Sequence, residues 1–406
     1  MTFTLPEPFA KIPRHPLLYS HPSPIHPLPT LTTLLTRTRQ HQPPSPRISL
    51  YAKREDQSSP LASSGNKYRK LEYLVPHIRQ HIHQPDGTDL PLPSHKKPTT
   101  LVTEGAVQSN HTVQVATLAN HLGLDAVVIL HKNTGGGLSA TTDPVAYLRT
   151  GNVQIDRLLG AEVRLLGSDN VADDRSDPIA PIMKELWAQG KVPYWIPSGA
   201  SLHPLGGLGY ARCAFEIAAQ EKEHLGTGER FDYVFVACGS GSTVAGLVAG
   251  FKLVEKLEEE EARRTDGSVP GGRKRKVIGI LNSPTKPREY HEERVLRFAR
   301  RAAVQIGLDE TDINADDVRL DDRFTGTGYG VLDPKSKETL AWMAQREGLL
   351  LDPVYTAKVA TGMAHWVQQG DLVKDWASHP GDHPQIRALF IHTGGQSALG
   401  AYADIE

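Results

Sequence analysis

Residues 233–246 read YVFVACGSGSTVAG, which is a short apolar run, a turn rich in glycine and serine, and then the beginning of an amphipathic pattern. The run Tyr233–Ala237 predicts a buried β-strand, and the periodicity of Thr243–Glu260 predicts a long helix. A buried strand that leads through a tight turn into a helix is typical of parallel sheets covered by helices on both faces. The stretch therefore predicts an α/β fold.

The same alternation extends along most of the chain in both directions from this unit. Further strands are predicted at 100–102, 126–130, 161–165, 194–196, 277–281 and 388–392, and further helices at 110–121, 151–159, 179–189, 207–220, 289–306, 336–347 and 356–369. Because these strands are too many for one comfortable sheet, we expect two three-layer α/β domains with mainly parallel sheets. The larger domain is assigned to residues 1–70 and 205–406, and the smaller domain to residues 71–204.

Three segments fall outside this alternation. Residues 1–47 are rich in proline and predict an extended, partly disordered arm over a domain surface. Residues 84–97 (QPDGTDLPLPSHKK) and 258–276 (EEEEARRTDGSVPGGRKRK) are interpreted as surface insertions. The charged blocks of the second insertion predict a solvated loop.

The bulk composition excludes several classes of function. The 406 residues carry 45 Lys and Arg against 46 Asp and Glu, so the net charge of −1 gives no reason to expect binding to nucleic acid or to an anionic membrane. No apolar run approaches the length of a membrane span, and no secretory signal is recognised. The two cysteines, Cys213 and Cys238, predict no disulfide framework, and we expect a cytoplasmic location. Without an HExxH or paired CxxC pattern, no metal site is predicted.

The turn Gly239–Thr243 (GSGST) is a candidate anion site. Its backbone N–H groups, the dipole of the following helix and the hydroxyls of Ser240, Ser242 and Thr243 are all suited to a phosphate group. The spacing is not GxGxxG and no lysine follows the turn, so neither a dinucleotide fingerprint nor a nucleotide P-loop is met. This leaves the phosphate of a phosphorylated cofactor, although a plain β–α turn fits the motif alone equally well.

Lys67 is the candidate nucleophile. It lies in the segment SSGNKYRKLEYL (63–74), which predicts a turn followed by the first turn of an amphipathic helix. The helix N-terminus and the like charges of Arg69 and Lys70 should lower the pKa of its amine, which is the condition for attack on a carbonyl group. Taken alone, the segment is better explained as a solvated basic helix start, and only the rest of the chain reverses that preference.

Polar residues at other predicted strand and helix ends complete the candidate site. Ser109 or Asn110 can cap the helix that begins there, or can bind a substrate carboxylate together with Gln108. Tyr329 lies in a glycine-rich loop and Tyr355 lies directly before a helix, where a tyrosine either packs or orients substrate and transfers protons.

Eight motifs, in this order, resemble the family of 1-aminocyclopropane-1-carboxylate deaminases and D-cysteine desulfhydrases. They are KRED (53–56), GNKYRKLEYL (65–74), QSNHT (108–112), HPLGGLGY (203–210), GSGST (239–243), FTGTGYG (324–330), DPVYTAK (352–358) and HTGG (392–395). The likeness extends from about residue 50 to the C-terminus and is interrupted by the two insertions.

The resemblance implies an enzyme that depends on pyridoxal 5'-phosphate, acts on a small amino acid and forms a homodimer, with the tryptophan synthase β-like fold (fold type II). The larger domain would then be the cofactor-binding one. The implied roles are Lys67 as the Schiff-base lysine, Gly239, Ser240, Gly241, Ser242 and Thr243 as the phosphate site, Asn110 as the partner of the ring hydroxyl, Gln108, Ser109 and Asn110 as substrate contacts, and Tyr329 and Tyr355 facing the substrate.

Thr356 follows the second tyrosine, at the position that partners the pyridine nitrogen. The cyclopropane deaminases look to have Glu there, which keeps the nitrogen protonated and makes the ring a strong electron sink. A neutral hydroxyl supports protonation less, and β-elimination needs a weaker sink than the opening of a cyclopropane. Thr393 also resembles the desulfhydrases, whereas 203–210 resembles the deaminases.

These observations favour β-elimination from D-cysteine to pyruvate, sulfide and ammonia. In this hypothesis Lys67 shuttles the α-proton, Ser109 fixes the carboxylate, and Tyr329 or Tyr355 assists the leaving thiol. The alternatives are a 1-aminocyclopropane-1-carboxylate deaminase that forms 2-oxobutanoate and ammonia, a β-replacement synthase, and a non-catalytic binding protein with the same fold.

Overall fold

The computed structural model describes residues 4–37, 46–132, 144–166, 178–226, 228–265, 274–377 and 385–402. Its strands are β1 (Ile25–Pro27), β2 (Arg47–Arg54), β3 (His81–His83), β4 (Asp89–Pro91), β5 (Thr100–Ala106), β6 (Asp125–His131), β7 (Glu162–Leu166), β8 (Pro193–Ile196), β9 (Tyr233–Cys238), β10 (Lys276–Leu281), β11 (Arg319–Asp321) and β12 (Gln385–His392). Its helices are α1 (Pro29–Thr36), α2 (Asn66–Ile78), α3 (Asn110–Leu122), α4 (Pro144–Tyr147), α5 (Asn152–Leu158), α6 (Ala180–Ala188), α7 (Leu208–His224), α8 (Ser242–Thr265), α9 (Arg288–Ile306), α10 (Pro334–Glu347), α11 (Thr356–Gln369) and α12 (Asp371–Ala377).

The strands form two main sheets. The larger sheet has the order β1-β2-β12-β9-β10-β11 and is parallel except for β1, which pairs antiparallel with β2. The smaller sheet has the order β7-β6-β5-β8 and is parallel throughout. The predicted α/β class with mainly parallel sheets is confirmed.

Strand β9 shows why the apolar run at 233–238 is buried. Val234 and Val236 belong to the core that α7, α8 and α9 form on one face of the larger sheet, whereas Tyr233 and Phe235 belong to the core on the other face, beneath α10 and α11. Side chains of a strand alternate between faces, and a parallel strand is covered on both. The smaller sheet is likewise covered on one face by α2, α3 and α5 and on the other by α6.

The proline-rich segment is more ordered than predicted. Within it, β1 adds an edge strand to the larger sheet, and α1 buries Leu31 and Leu35 in the core. Phe9 is also fully buried, against Tyr73 and Phe215. An extended surface arm is therefore wrong for the described part of this segment, because its apolar residues recur at spacings that the proline content obscured.

The two predicted insertions differ from each other. Residues 84–97 contain β4, which forms an antiparallel hairpin with β3. Glu258–Thr265, however, is the end of α8, so the solvated-loop prediction is wrong there. The pairs Glu259–Arg263 and Glu260–Arg264 have the i,i+4 spacing that supports an exposed helix. Residues 266–273 lie outside the described ranges, and the domain boundaries stay a prediction.

The described residues also lack two kinds of feature. None of their helices is both long enough and apolar enough to cross a membrane. Within the same residues, no group of three or more His, Cys, Asp or Glu side chains is arranged to hold a metal ion. Cys213 and Cys238 are both buried free thiols.

Candidate active site

A cavity of 390 Å³ lies where the two sheets face each other. Gly239, Asn282 and Thr393 line it directly after β9, β10 and β12 of the larger sheet. From the smaller sheet, the last residues of β5 and β6, Ala106 and His131, also line it. In parallel α/β proteins, ligands bind outside the carboxyl ends of the strands. The cavity is therefore the expected position for a ligand site.

Lys67 reaches this cavity from the first turn of α2, as the sequence predicts. Its Nζ donates a hydrogen bond to Asn66 Oδ1 at 2.8 Å. Burial lowers the pKa of the amine to about 8, and the carboxylate of Asp352 opposes part of that shift. The pKa of Lys67 is shifted in the predicted direction, but the main cause is desolvation and not the neighbouring cations.

Arg69 does not repel the Lys67 ammonium, because its guanidinium points into a buried ionic cluster. It pairs with Glu55 and with Glu216, whose Oε1 accepts at 2.8 Å. The charge of Arg69 is thus compensated within the core, and the cluster fixes the orientation of α2.

Close packing of α7 also fixes the helix that carries Lys67. A Cβ added at Gly209, in the first turn of α7, would lie 2.1 Å from the carbonyl oxygen of Arg69 and 2.7 Å from the backbone nitrogen of Lys70. Only glycine permits this approach of the two helices. Gly209 of the HPLGGLGY motif therefore contributes to the site by packing and is not part of the cavity wall.

The predicted anion site has the expected form. Gly241 has a φ of 99°, a conformation that favours glycine, and it turns the chain from β9 into α8. Gly239, Ser240, Gly241 and Thr243 line the cavity at the N-terminus of α8, where free backbone N–H groups and the helix dipole attract anions.

Ser242 departs from the predicted arrangement. It is absent from the cavity wall, and its Oγ lies 2.8 Å from Ser201 Oγ. Ser201 also donates to Ser240 Oγ at 2.6 Å. Ser201 Oγ also accepts from the backbone nitrogen of Ser242 at 3.4 Å. Ser201 thus engages both polar groups that Ser242 was predicted to offer to a phosphate.

Lys70 is a candidate that the sequence analysis treated only as a neighbouring charge. Its side chain is buried, lines the cavity, and donates to the carbonyl oxygen of Gly199 at 2.9 Å. Burial and the nearby Lys67 hold its pKa well below the ordinary value. A buried ammonium next to an anion cradle is satisfied by a phosphate group, so the donor set fits a phosphorylated cofactor.

The QSN segment divides into a lining residue and two supporting residues. Ser109 lines the cavity and is also the N-cap of α3, since its Oγ accepts from the backbone nitrogen of His111. Asn110 Oδ1 accepts from Asn152 Nδ2 at 2.6 Å, which ties the start of α3 to α5. Neither Asn110 nor Gln108 is part of the cavity wall.

Gln108 is fully engaged in the structure. Its Nε2 donates to the carbonyl oxygens of Tyr147 and Thr150, and its Oε1 accepts from the backbone nitrogen of Asn152. Its backbone has a φ of 69°, which is strained for a residue other than glycine. The predicted substrate contact would require these hydrogen bonds to break, and the geometry gives Gln108 a supporting place instead.

Tyr329 and Tyr355 meet at the cavity, and their hydroxyl groups are hydrogen-bonded to each other. The Lys67 ammonium lies 5.5 Å from the centroid of the Tyr355 ring. Burial raises the pKa of both phenols, so both are neutral near pH 7. A neutral phenol pair beside an amine can carry a proton to or from a substrate.

Thr356 lies behind the cavity wall, where it is bonded to Asp352. Its Oγ1 donates to Asp352 Oδ1 at 2.7 Å and accepts from the backbone nitrogen of Asp352 at 2.7 Å. Asp352 also accepts from the backbone nitrogens of Val354, Tyr355 and Thr356, and so it holds the turn that leads into α11. Thr356 was predicted from the sequence, but this carboxylate was not.

Three more lining residues carry unsatisfied polar atoms. Among the described residues, His111 Nδ1, Asn282 Nδ2 and His291 Nε2 are buried without a hydrogen-bond partner. Burial also holds the pKa of His111 well below its usual range, so its ring is neutral. Unpaired buried groups are costly, and those that face a cavity indicate a polar ligand.

Comparison with known proteins gives concordant matches. The family model for pyridoxal-phosphate dependent enzymes matches residues 21–379. The chain is 39% identical over 396 residues to a 1-aminocyclopropane-1-carboxylate deaminase of Burkholderia cenocepacia, with 97% of this chain and 98% of that protein covered. It is 38% identical over 393 residues to a probable 1-aminocyclopropane-1-carboxylate deaminase of Cryptococcus neoformans, with 97% and 95% covered.

A solved structure described as an ACC deaminase homologue has a TM-score of 0.68 to this chain at 28% identity, with 98% of this chain and 96% of that chain covered. Together the matches confirm the resemblance, the fold type and the predicted cofactor, pyridoxal 5'-phosphate. The chain therefore belongs to the pyridoxal-phosphate dependent enzymes, in the family that includes the 1-aminocyclopropane-1-carboxylate deaminases.

Proposed function

We propose that the chain is a deaminating lyase that converts 1-aminocyclopropane-1-carboxylate and water into 2-oxobutanoate and ammonia. The observation that carries the proposal is the meeting of three groups at one cavity: the amine of Lys67, the hydrogen-bonded phenols of Tyr329 and Tyr355, and the anion cradle at 239–243. Relatives that bear this deaminase's name and are 38–39% identical over nearly the whole chain support the choice of substrate. They support it better than D-cysteine, which the sequence alone favoured.

The residues of the chain have distinct roles in this proposal. The cradle at 239–243 and the ammonium of Lys70 would hold the cofactor's phosphate, and Lys67 would attach the cofactor covalently. Bound pyridoxal phosphate supplies the electron sink for bonds broken at the α-carbon. Ser109, at the N-terminus of α3, orients the substrate carboxylate.

Proton transfer is assigned to the groups nearest the Lys67 amine. The Tyr329–Tyr355 pair is hydrogen-bonded and neutral, so one phenol can donate a proton while the other stabilises the charge left behind. Lys67, with its pKa of about 8, accepts or returns a proton near neutral pH. Proton transfer is most effective when the pKa of the catalytic group lies near the pH at which the enzyme works.

The environment of Thr356 weakens the argument against ring opening. A carboxylate only accepts hydrogen bonds, so the hydroxyl hydrogen of Thr356 is committed to Asp352 Oδ1. Thr356 Oγ1 can then offer a further partner only a lone pair, which suits a protonated ring nitrogen. The negative charge of Asp352 lies one hydrogen bond behind it and supports the strong sink that opening a cyclopropane requires.

D-Cysteine remains the second candidate because two residues favour it. Thr356 and Thr393 stand where the cyclopropane deaminases look to have Glu and Leu, and Thr393 lines the cavity. With D-cysteine, the same site would release pyruvate, sulfide and ammonia.

The test is a direct comparison of substrates with purified, cofactor-loaded protein. 1-Aminocyclopropane-1-carboxylate, D-cysteine and L-cysteine are supplied separately, and 2-oxobutanoate, pyruvate and sulfide are measured. We expect 2-oxobutanoate from the cyclopropane amino acid at the highest kcat/KM, and none with Lys67→Ala. Pyruvate and sulfide from D-cysteine without 2-oxobutanoate would reverse the order of the two candidates. Bound cofactor without any keto acid would favour a non-catalytic binding protein.

A further inference from the structure

Lys358, the third residue of α11, has an unusual set of partners. Its side chain is buried, and its Nζ donates to the carbonyl oxygens of Asn282 at 3.0 Å and Thr325 at 2.6 Å. The carbonyl oxygen of Gly328, at 3.5 Å, stands at the outer limit of a third hydrogen bond. The ammonium therefore sits in a cage of main-chain carbonyl groups.

The position is energetically unfavourable for a cation. Burial lowers the pKa of Lys358 to about 8, and the carboxylates of Asp333 and Asp352 oppose this only partly. The N-terminal turn of a helix also repels positive charge. A buried charge that costs stability is expected where it has a specific task.

The three carbonyl groups belong to segments that build the cavity. Asn282 directly follows β10 and lines the cavity, whereas Thr325 and Gly328 belong to the glycine-rich loop that leads directly into Tyr329. Lys358 itself lies on the same helix start as Tyr355. The Lys358 ammonium thus links three elements: the larger sheet through Asn282, the loop that carries Tyr329, and α11, which directly follows Tyr355.

Gly326 shows that the loop is shaped around this ammonium. Its φ is 67°, and a Cβ added there would lie 3.4 Å from Lys358 Nζ. The loop therefore turns tightly over the lysine head group, and its carbonyl oxygens point towards the charge.

We propose that Lys358 is a positioning residue, which holds the loop 325–328 so that the Tyr329 hydroxyl meets that of Tyr355. The inference rests on the proton-transfer role proposed above for the two phenols. Loss of the ammonium would free three carbonyl groups and let Tyr329 move away from Tyr355, while the anion cradle and Lys67 would stay in place.

The test uses the cofactor-loaded enzyme and two variants. Lys358→Met keeps most of the packing of the stem, and Lys358→Ala leaves space for an added amine. For both we expect unchanged cofactor absorbance and a kcat lower by about 10- to 100-fold, with a smaller change in KM. Methylammonium added to Lys358→Ala should restore part of the lost kcat, because it can occupy the carbonyl cage.

The matched control is Lys252→Ala. Lys252 lies on α8, where it pairs with Asp317 at 3.0 Å, and it is not part of the cavity wall. Its substitution should leave kcat unchanged, with or without methylammonium. If methylammonium raised kcat by the same factor in Lys252→Ala as in Lys358→Ala, the amine would not act in the carbonyl cage and the proposal would be overturned.

Amide hydrogen exchange measures the loop independently of turnover. In Lys358→Met, exchange at 325–330 should accelerate relative to wild type, whereas exchange in α8 should not. Wild-type kcat in Lys358→Met, or unchanged exchange at 325–330, would overturn the proposal. So would a loss of cofactor absorbance and thermal stability together in Lys358→Met, since that result indicates a general structural role. If the wild-type enzyme yields no keto acid, the proposed function fails, and the exchange result still decides whether Lys358 holds the loop.

Discussion

The pKa of Lys67 predicts how the rate of cofactor attachment depends on pH. Only the neutral amine attacks the aldehyde of pyridoxal phosphate, and burial lowers the pKa of this amine from 10.5 to about 8. At pH 7, a pKa of about 8 leaves about 9% of the amine neutral, whereas a pKa of 10.5 leaves about 0.03%. The buried site should therefore capture the cofactor about 300-fold faster than a solvated lysine of equal reactivity.

The assay is stopped-flow absorbance after the cofactor-free chain is mixed with excess pyridoxal phosphate, between about pH 6 and pH 10. The rate should rise about tenfold per pH unit up to a pH of about 8 and stay level above it, because the amine is then already neutral. Lys67→Ala serves as the control and should show no covalent attachment after borohydride reduction.

A rate that continues to rise towards pH 10 would refute this reasoning. It would mean that the amine keeps an ordinary pKa, and thus that water reaches Lys67 in the cofactor-free chain more freely than the structure indicates. Attachment in Lys67→Ala would refute the choice of residue itself.

Three further substitutions test other parts of the site. Lys70→Ala should weaken binding of pyridoxal phosphate by at least about tenfold and leave binding of phosphate-free pyridoxal unchanged in fluorescence titrations; equal losses for both would contradict a phosphate contact. Thr356→Glu should raise the ratio of 2-oxobutanoate formed from the cyclopropane amino acid to pyruvate formed from D-cysteine, and an unchanged ratio would count against the ring-partner argument. Gly209→Ala places a Cβ 2.1 Å from the Arg69 carbonyl oxygen and should lower the free energy of unfolding by about 1–3 kcal/mol in urea titrations; an unchanged midpoint would mean that α7 and α2 separate without cost.

The strands and helices that local pattern specifies were predictable from the sequence. The apolar run of β9, the helix after it and the N-cap at Ser109 depend on residues close to each other in the chain. By contrast, β2 (RISLYAKR) carries charged residues at both ends, and it forms because β12, far along the chain, pairs with it. The helical end of α8 was missed because blocks of charge were interpreted as a loop, although i,i+4 pairs stabilise them in a helix.

The residues of the candidate site likewise divide into those that local sequence predicts and those that depend on distant contacts. Motifs identified Lys67, the cradle at 239–243 and Tyr355, which lie at strand or helix ends that the pattern defines, and Tyr329, which lies in a glycine-rich loop. They did not identify the role of Lys70, whose partner is Gly199, or that of Lys358, whose partners lie about 30 and 76 positions away. Residue type and local spacing carry no information on such tertiary contacts.

Three lysines near the cavity share one physical feature. Lys67 and Lys358 lie in the first turn of a helix and Lys70 lies in the second turn of α2, and desolvation lowers the pKa of each. The helix dipole adds to this cost at Lys67 and Lys358. An anionic cofactor would bring compensating negative charge to Lys70 and also to Lys67, to which it would be attached. The carbonyl cage satisfies Lys358 without any ligand, so its charge persists in the cofactor-free and cofactor-loaded chains alike. Cofactor binding should therefore stabilise the fold by relieving Lys67 and Lys70, while the loop that carries Tyr329 is already in place before the cofactor arrives.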